Sequence, residues 1–277
     1  MMIVSTLEEL KTARRMLDPS LGFVPTMGYL HEGHLSLVQK AKEECKSVAV
    51  SIFVNPTQFG PKEDISKYPR DLERDLCLLE PLKVDLVWTP TAEMMYPAGY
   101  QTWIEVENIT NGLEGELRPG HFRGVATVVA KLFNAVQPTR AYFGQKDAQQ
   151  AAVIRRMTKD LNFPIDIVVC PTIRESDGLA MSSRNRYLEG ADRQAATVLF
   201  KALGAAKEAY LQGEQSAEKL RRIAMDVLAA EPRAQVQYVS CADYESLEEQ
   251  ETVRGKVLLS LAVIVGKTRL IDNFVLG

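Results

Sequence analysis

The chain has 277 residues, of which 46% are hydrophobic and 25% charged, a composition typical of globular domains that bury a large core. Its formal net charge of −3 disfavours a surface that coats nucleic acid, although it is compatible with a local basic pocket. The longest apolar stretch, residues 257–265, has about half the length of a membrane span. We therefore expect neither nucleic acid nor a membrane as a partner.

The N-terminal residues and the cysteines both favour a cytoplasmic protein. Residues 1–16 lack the basic segment and apolar core of a secretory signal. They predict a helix capped by Ser5 or Thr6, with Glu9 completing a capping box. Four cysteines, interpreted as reduced thiols, lie too far apart for a CxxC motif: Cys45, Cys77, Cys170 and Cys241.

Between residues 21 and 171, short apolar runs alternate with helical patterns, which is typical of parallel βαβ units in an α/β domain. The predicted strands are 23–25, 48–54, 84–88, 141–143 and 165–170. Apolar residues at helical spacing predict helices through 37–45, 72–79, 125–136 and 153–161.

The pattern changes after Pro171. Two helices, around 199–203 and 220–228, precede strand-like runs at 236–242, 258–265 and 270–276. This order is typical of a smaller α+β domain with antiparallel pairing. We predict two domains, 1–171 and 172–277.

Polar residues are concentrated after the predicted strands, where open parallel sheets bind their ligands. The segments are 25–34, 55–59, 144–150 and 174–184. Together they would supply imidazoles, a lysine, an arginine, hydroxyls and amides to one crevice. This set of groups suits a polyphosphate.

Two of only three histidines, His31 and His34, occur in the sequence His-Glu-Gly-His. At positions i and i+3 of a helix start they point the same way, into a site whose backbone amides and dipole favour anions. We predict that they donate hydrogen bonds to phosphate oxygens in the transition state. Two alternatives stay open: a surface helix that carries histidines by chance, and a zinc site, which would need a further ligand.

Other polar residues support a phosphate site when they are considered together with this histidine pair. Lys146 precedes Asp147 at a predicted helix start, where it can neutralise a phosphate, although a lone lysine at a strand end is more often solvated. The Ser-Ser-Arg sequence at 182–184 lies in a loop that can close over phosphates.

Five segments in this order carry a family resemblance: PTMGYLHEGH (25–34), FVNPTQF (53–59), RPGHFRGVATVV (118–129), FGQKDAQQ (143–150) and DGLAMSSRNRYL (177–188). They closely resemble the pantothenate synthetase family, over the whole chain. That family belongs to the HIGH-motif nucleotidyltransferase superfamily, and AMSSR stands where class I aminoacyl-tRNA synthetases carry KMSKS. The resemblance implies a Rossmann-like parallel sheet with helices on both faces, and a smaller C-terminal α+β domain that carries the MSSR loop.

The resemblance also implies a reaction, the ATP-dependent condensation of (R)-pantoate and β-alanine to (R)-pantothenate, AMP and pyrophosphate through a pantoyl adenylate. It implies catalytic roles for His31, His34, Lys146 and Arg184, with His34 as the acid that assists departure of pyrophosphate. The ATP-binding residues that it implies are Met27, Gly28, Tyr29, Leu30, His31, Glu32, Gly33, His34, Gly144, Gln145, Lys146, Asp147, Ile173, Met181, Ser182, Ser183 and Arg184. Those for pantoate are Pro25, Thr26, Met27, Gln58 and Gln150, and Gln58 is also implied to bind β-alanine.

Magnesium is expected, because the charges of a triphosphate must be bridged before attack. Asp75 is the candidate ligand, on a helix face shared with Asp71; where some family members have a second acid, this chain has Arg74. The alternative is an exposed helical carboxylate. His121 is expected to guard the β-alanine entrance or to cap the helix that follows, and we assign it no catalytic role.

The resemblance further implies a homodimer. Other function classes stay open: a different nucleotidyltransferase, which would leave a nucleotidyl group on its product, and a non-catalytic ATP-binding module, which would release no pyrophosphate. A synthetase acting on tRNA is disfavoured, because it would need a basic docking surface.

Overall fold

The structure is a computed structural model that describes residues 1–60 and 65–277. In chain order its elements are β1 (Met2–Val4), α1 (Leu7–Met16), β2 (Leu21–Thr26), α2 (Glu32–Glu44), β3 (Ser47–Ile52), α3 (Leu72–Leu79), β4 (Leu86–Trp88), α4 (Ala92–Met95), α5 (Glu114–Leu117), α6 (His121–Val136), β5 (Arg140–Gly144), α7 (Ala148–Asp160), β6 (Asp166–Cys170), α8 (Gly190–Ala195), α9 (Val198–Leu211), α10 (Ala217–Ala229), β7 (Ala234–Asp243), β8 (Val257–Val265) and β9 (Thr268–Leu276).

Contacts divide the chain into two compact units. The first unit comprises residues 1–144 and 153–171, and the second comprises 145–152 and 172–277. The short segment 145–152 therefore groups with the C-terminal residues, although the sequence analysis placed it in the first domain.

The first unit is built on a parallel sheet. In the described part of the chain its six strands follow the order β1-β4-β3-β2-β5-β6, and every pair is parallel. The chain order reverses between β2 and β5, and ligands of such sheets bind at the carboxyl edge of this switch point. The prediction of a parallel α/β sheet is confirmed.

Helices cover both faces of this sheet. Phe23 and Val24 are consecutive in β2 and point to opposite faces, yet both are 0% exposed. Val24 packs with Val38 and Ala41 of α2, and β2 also contacts α6. Burial on both faces explains why the strands form nearly continuous apolar runs.

The ends of some elements differ from the predictions. The edge strand β1 was missed, because its three consecutive apolar residues are too few to show the pattern of a strand. Helix α1 begins as predicted, since Thr6 caps it and Glu9 completes the capping box. Helix α7 ends at Asp160, so Leu161, which the apolar pattern placed in the helix, lies beyond its end and is exposed.

The second unit packs α9 and α10 against the antiparallel sheet β7-β8-β9. Leu199 and Leu220, from the two helices, share one core with Cys241 and Leu259 from the sheet. The predicted α+β arrangement of this part is confirmed. Within residues 1–60 and 65–277, no helix has both the length and the apolar character needed to cross a membrane.

Candidate active site

The loop after β2 makes a tight turn. Gly28 and Tyr29 have φ angles of 79° and 52°, in the left-handed region that a residue with a side chain rarely adopts. A Cβ atom on Gly28 would lie 2.9 Å from Ile52 Cγ2 and 3.0 Å from Asp75 Oδ2. Glycine therefore allows the backbone to approach both β3 and α3.

The side chain of Asp75, in α3, binds the backbone of this loop. Its Oδ2 and Oδ1 accept hydrogen bonds from the N–H groups of Tyr29 and Leu30, each at 2.7 Å. The neighbouring Arg74 donates from Nη1 to the Leu30 carbonyl oxygen at 2.9 Å. Asp75 is only 1% exposed, and burial raises the pKa of its carboxyl group. The alternative of an exposed helical carboxylate is therefore wrong.

His31 and His34 lie together at the start of α2, with ring centroids 4.1 Å apart. The Nδ1 atom of His31, the N-cap residue, accepts from the backbone N–H of Gly33 at 3.1 Å. The Nδ1 atom of His34 accepts from the backbone N–H of His31 at 3.3 Å. Because both Nδ1 atoms accept, the proton of each neutral ring is on Nε2, which makes Nε2–H a donor. The predicted proximity is confirmed, and both rings have the tautomer that suits a phosphate oxygen.

Gln58 lies in the short 3₁₀ turn Pro56–Gln58 that follows β3. Its side chain is buried and oriented at both ends: Asn55 Nδ2 donates to Oε1 at 3.0 Å, and Nε2 donates to Met27 Sδ at 3.1 Å. The structure thus brings together Met27 and Gln58, two of the predicted pantoate residues. Asn55 lies in the polar segment 55–59 of the sequence analysis but was assigned no role there, although Asn-Pro, a common start of a turn, marked its position.

His121 contacts the backbone of the same turn. Its Nδ1 lies 2.8 Å from the carbonyl oxygen of Gln58, and its Nε2 lies 3.0 Å from Arg118 Nη1. A carbonyl can only accept and a guanidinium can only donate, so His121 is neutral with its proton on Nδ1. Gly120 is the N-cap of α6, with no side-chain cap. His121 therefore braces the Gln58 turn and does not cap its helix.

Of the remaining predicted residues, Pro25, Thr26, Glu32 and Gly144 lie in the first unit and the others lie in the second. Lys146, in the 3₁₀ turn Gln145–Asp147, places Nζ 3.7 Å from Asp147 Oδ1. Met181 donates its backbone N–H to the Ile173 carbonyl oxygen at 2.9 Å. Gln150 lies in the first turns of α7, Ser182 caps the 3₁₀ helix Ser183–Tyr187, and Arg184 donates its backbone N–H to that cap.

The first unit contains a parallel sheet with a switch point, and the helix that follows β2 begins with two imidazole donors. Backbone N–H groups and donors in this arrangement bind phosphate groups. The class that these features define is an α/β enzyme that binds the phosphates of a nucleotide.

Comparisons with known proteins identify the family within this class. Residues 2–275 match the family model described as pantoate-beta-alanine ligase. A pantothenate synthetase from Herpetosiphon aurantiacus is 60% identical over 277 residues and is covered completely, as is this chain. The crystal structure of a pantothenate synthetase from Thermus thermophilus aligns with a TM-score of 0.95 and 48% identity over 99% of each chain.

A second solved structure is a pantoate-beta-alanine ligase from Francisella tularensis complexed with beta-gamma ATP and beta-alanine. It aligns with a TM-score of 0.80 and 38% identity, over 99% of this chain and 97% of that one. The chain belongs to the pantoate-beta-alanine ligase family. The predicted family, fold and ligase class are confirmed, and the roles of individual residues stay predictions.

Proposed function

We propose that this chain joins (R)-pantoate to β-alanine through a pantoyl adenylate. A carboxylate oxygen of pantoate attacks the α-phosphorus of ATP, and the bond from that phosphorus to the bridging oxygen breaks, so pyrophosphate leaves. The amine of β-alanine then attacks the activated acyl carbon and loses a proton, while AMP leaves with the electron pair of the broken C–O bond. Neither step needs a protein nucleophile, so the protein orients the reactants and stabilises charge.

The observation that carries the proposal is the histidine pair at the start of α2. Both rings have Nε2–H donors, and their centroids are 4.1 Å apart. We assign both donors to the triphosphate, with His34 assisting departure of pyrophosphate. Charge grows on the leaving pyrophosphate as the phosphorus–oxygen bond breaks, and a donor fixed before the reaction stabilises that charge without reorganisation.

Pantoate is assigned to the turn that contains Gln58. The Gln58 amide is held by Asn55 and lies against Met27, so its remaining hydrogen-bonding capacity has a fixed direction. An amide with one oxygen and two N–H donors suits the hydroxyl and carboxylate groups of pantoate. Gln150 is proposed for the same substrate, and Gln58 also for β-alanine.

Lys146 and Arg184 are proposed to neutralise phosphate charge. The Lys146 side chain is only 15% exposed, so little water screens its ammonium group. The Arg184 backbone N–H donates to the Ser182 cap, which places Arg184 in the first turn of a 3₁₀ helix. A point charge and a planar donor fork complement the oxygens of a triphosphate.

The described side chains do not fit a magnesium centre made by the protein alone. Both oxygens of the predicted ligand, Asp75, accept hydrogen bonds from backbone N–H groups. Among residues 1–60 and 65–277, no three His, Cys, Asp or Glu side chains come together as metal ligands. Proteins commonly bind Mg²⁺ through substrate phosphates and one or two carboxylates. We propose that Mg²⁺ arrives with ATP, and we assign no residue to it.

The resemblance to the family also supports a cytoplasmic homodimer. All four cysteines are free thiols, the state that the cytoplasm maintains. The mass of the native protein, measured by light scattering after size exclusion, tests the dimer directly: about twice 30.9 kDa is expected, and 30.9 kDa would contradict it.

One assay tests the function. The protein is incubated with ATP, Mg²⁺ and pantoate, with and without β-alanine, and AMP, pyrophosphate and pantothenate are measured. We expect sustained formation of AMP and pantothenate only when β-alanine is present. Absence of β-alanine-dependent AMP contradicts the ligase, and a product that retains the nucleotidyl group indicates a different nucleotidyltransferase.

A further inference from the structure

Asn273 on β9 is directed at the backbone of the Gln145–Lys146 segment. Its Nδ2 donates to the carbonyl oxygens of Gln145 and Lys146, at 3.0 and 2.9 Å. Its Oδ1 accepts from Gln145 Nε2 at 3.0 Å. Three hydrogen bonds from one buried amide, 4% exposed, therefore hold the two residues just before Asp147.

Asn273 is itself fixed by its neighbour in the strand. Asp272 Oδ1 accepts from the backbone N–H of Asn273 at 2.8 Å. Asp272 also forms a two-point ion pair with Arg174, at 2.6 and 2.9 Å. The Arg174 guanidinium lies 5.0 Å from the ring centroids of both Phe200 and Phe274. An ion pair so enclosed leaves this part of β9 little freedom, because neither partner can move without losing several contacts.

Consecutive residues of a strand point to opposite faces, so β9 contacts two different segments. On one face Asn273 holds Gln145 and Lys146. On the other, Asp272 holds Arg174, which also donates to the Gly178 carbonyl oxygen at 3.0 Å near the start of the loop that leads to Ser182. An apolar side chain at position 273 would fill the same space without hydrogen bonds to the Lys146 backbone. The amide therefore does more than pack the core.

We infer that Asn273 is a positioning residue for adenylate formation and acts through Lys146. The inference rests on the proposed role of Lys146 at the triphosphate. The lysine side chain is a flexible stem with a point charge at its end, so the place of its ammonium group depends on how firmly its backbone is held. A displacement of about 1 Å at a reacting centre can reduce a rate about 100-fold.

The first test replaces Asn273 by alanine and measures pantoate-dependent pyrophosphate release in a single turnover without β-alanine. We expect a rate reduced about 10- to 100-fold at saturating ATP, with the apparent affinity for pantoate changed less than about twofold. Arg269→Ala is the matched control, because Arg269 lies on the same strand and hydrogen-bonds Gln237 instead; we expect it to keep the wild-type rate. A rate of the Asn273 variant within twofold of the wild type overturns the inference.

The second test separates positioning from a general structural effect. If Asn273 acts through Lys146, the double variant Asn273→Ala with Lys146→Ala should be no slower than Lys146→Ala alone, within about twofold. Rate losses that multiply overturn the inference, because they show that the two residues act independently. If Lys146→Ala is fully active, the proposed role of Lys146 is wrong and so is the inference. If Lys146→Ala is inactive and the Asn273 variant is active, only the inference is wrong.

A replacement of similar size protects the test against misfolding. Asn273→Leu has nearly the same shape, introduces no charge beside Asp272 and loses all three hydrogen bonds, so the same loss of rate is expected of it. It is used in both tests if the alanine variant does not unfold cooperatively in urea. Wild-type turnover by Asn273→Leu contradicts the inference as directly as an active alanine variant does.

Discussion

Asp75 Oδ1 accepts a hydrogen bond of 2.7 Å from the backbone N–H of Leu30, which lies 45 residues earlier in the chain. The other carboxylate oxygen accepts from Tyr29 at the same distance. Two charge-assisted hydrogen bonds join α3 to the loop that precedes the histidine pair. The orientation of the imidazoles therefore depends on a residue far from them in sequence.

Replacement of Asp75 by alanine should leave two N–H groups without an acceptor, the buried one of Leu30 and the partly buried one of Tyr29. Two fully buried groups would cost about 2–6 kcal/mol, at about 1–3 kcal/mol each. Because water can reach the Tyr29 group, we expect the free energy of unfolding, measured in urea, to fall by about 2–4 kcal/mol. Glu73→Ala on the same helix is the control; Glu73 is exposed, and its loss should cost less than about 1 kcal/mol. Asp75→Asn keeps one acceptor oxygen, so its loss of stability should lie between those of Asp75→Ala and Glu73→Ala. Equal stability of Asp75→Ala and Glu73→Ala would show that the two bonds contribute nothing.

Replacement of His34 by alanine removes one donor and the acceptor of the His31 backbone N–H. Loss of a single transition-state donor commonly reduces a rate about 100-fold or more, and we expect that loss in single-turnover adenylate formation at saturating ATP. Gln39→Ala, at an exposed position of the same helix, should keep the wild-type rate. Adenylate formation at the wild-type rate by His34→Ala would exclude the proposed role.

Gly124 of α6 lies directly against the Gln58 turn. A Cβ atom there would lie 2.8 Å from the Gln58 backbone nitrogen and would also overlap the Thr57 carbonyl group. Since backbone atoms cannot rotate away, Gly124→Ala should displace the turn and lower the free energy of unfolding by about 1–3 kcal/mol. It should also weaken the binding of pantoate more than the binding of ATP. The measurements are urea unfolding and the Michaelis constants of both substrates.

Gly204, inside α9, is the matched control for that prediction. A Cβ atom on Gly204 would meet nothing within 4 Å, so Gly204→Ala should raise stability by about 0.5–1 kcal/mol through helix propensity. Both substitutions exchange glycine for alanine within a helix, and only their surroundings differ. A gain in stability at both positions would contradict the close approach of α6 to the turn.

The sequence predicts those parts of the fold that depend on local pattern. The strands of the first unit are continuous apolar runs because they are buried on both faces, as Phe23 and Val24 illustrate. The edge strand β1 is too short to have a pattern, and its pairing with β4 is decided by contacts more than eighty residues away. Local signals therefore locate five of the six strands in the described sheet and miss the short edge strand β1.

The same distinction holds for the site. The spacing of His31 and His34 predicts a shared direction because it follows from helix geometry alone. The roles of Asp75 and Asn273 depend on hydrogen bonds to distant backbone groups, which no local spacing encodes. Asp75 was consequently interpreted as a metal ligand or an exposed carboxylate, and Asn273 was not singled out. Residues whose placement follows from local spacing are thus easier to predict than those whose contacts lie far away in the chain.

Tyr96, which contacts the Gln58 turn, makes the stability of the protein depend on pH. Its hydroxyl donates to Asn55 Oδ1 at 2.9 Å and lies 3.1 Å from Thr57 Oγ1. Burial raises the pKa of Tyr96 from its ordinary value of 10.0 to about 12. The folded protein therefore holds this proton more tightly than the unfolded chain does. The stability that results is complete below pH 10 and is lost as the pH rises from 10 toward 12.

Tyr96→Phe removes this titration and keeps the ring. Two pKa units correspond to about 3 kcal/mol at most, and partial exposure of the side chain reduces that figure. We expect the free energy of unfolding of the wild type, measured in urea at intervals across this pH range, to fall more steeply than that of Tyr96→Phe. Other tyrosines titrate in both proteins, so their effects cancel in the difference. Parallel curves for the two proteins would mean that the Tyr96 proton is bound equally in the folded and unfolded states, so that burial does not raise the pKa of Tyr96.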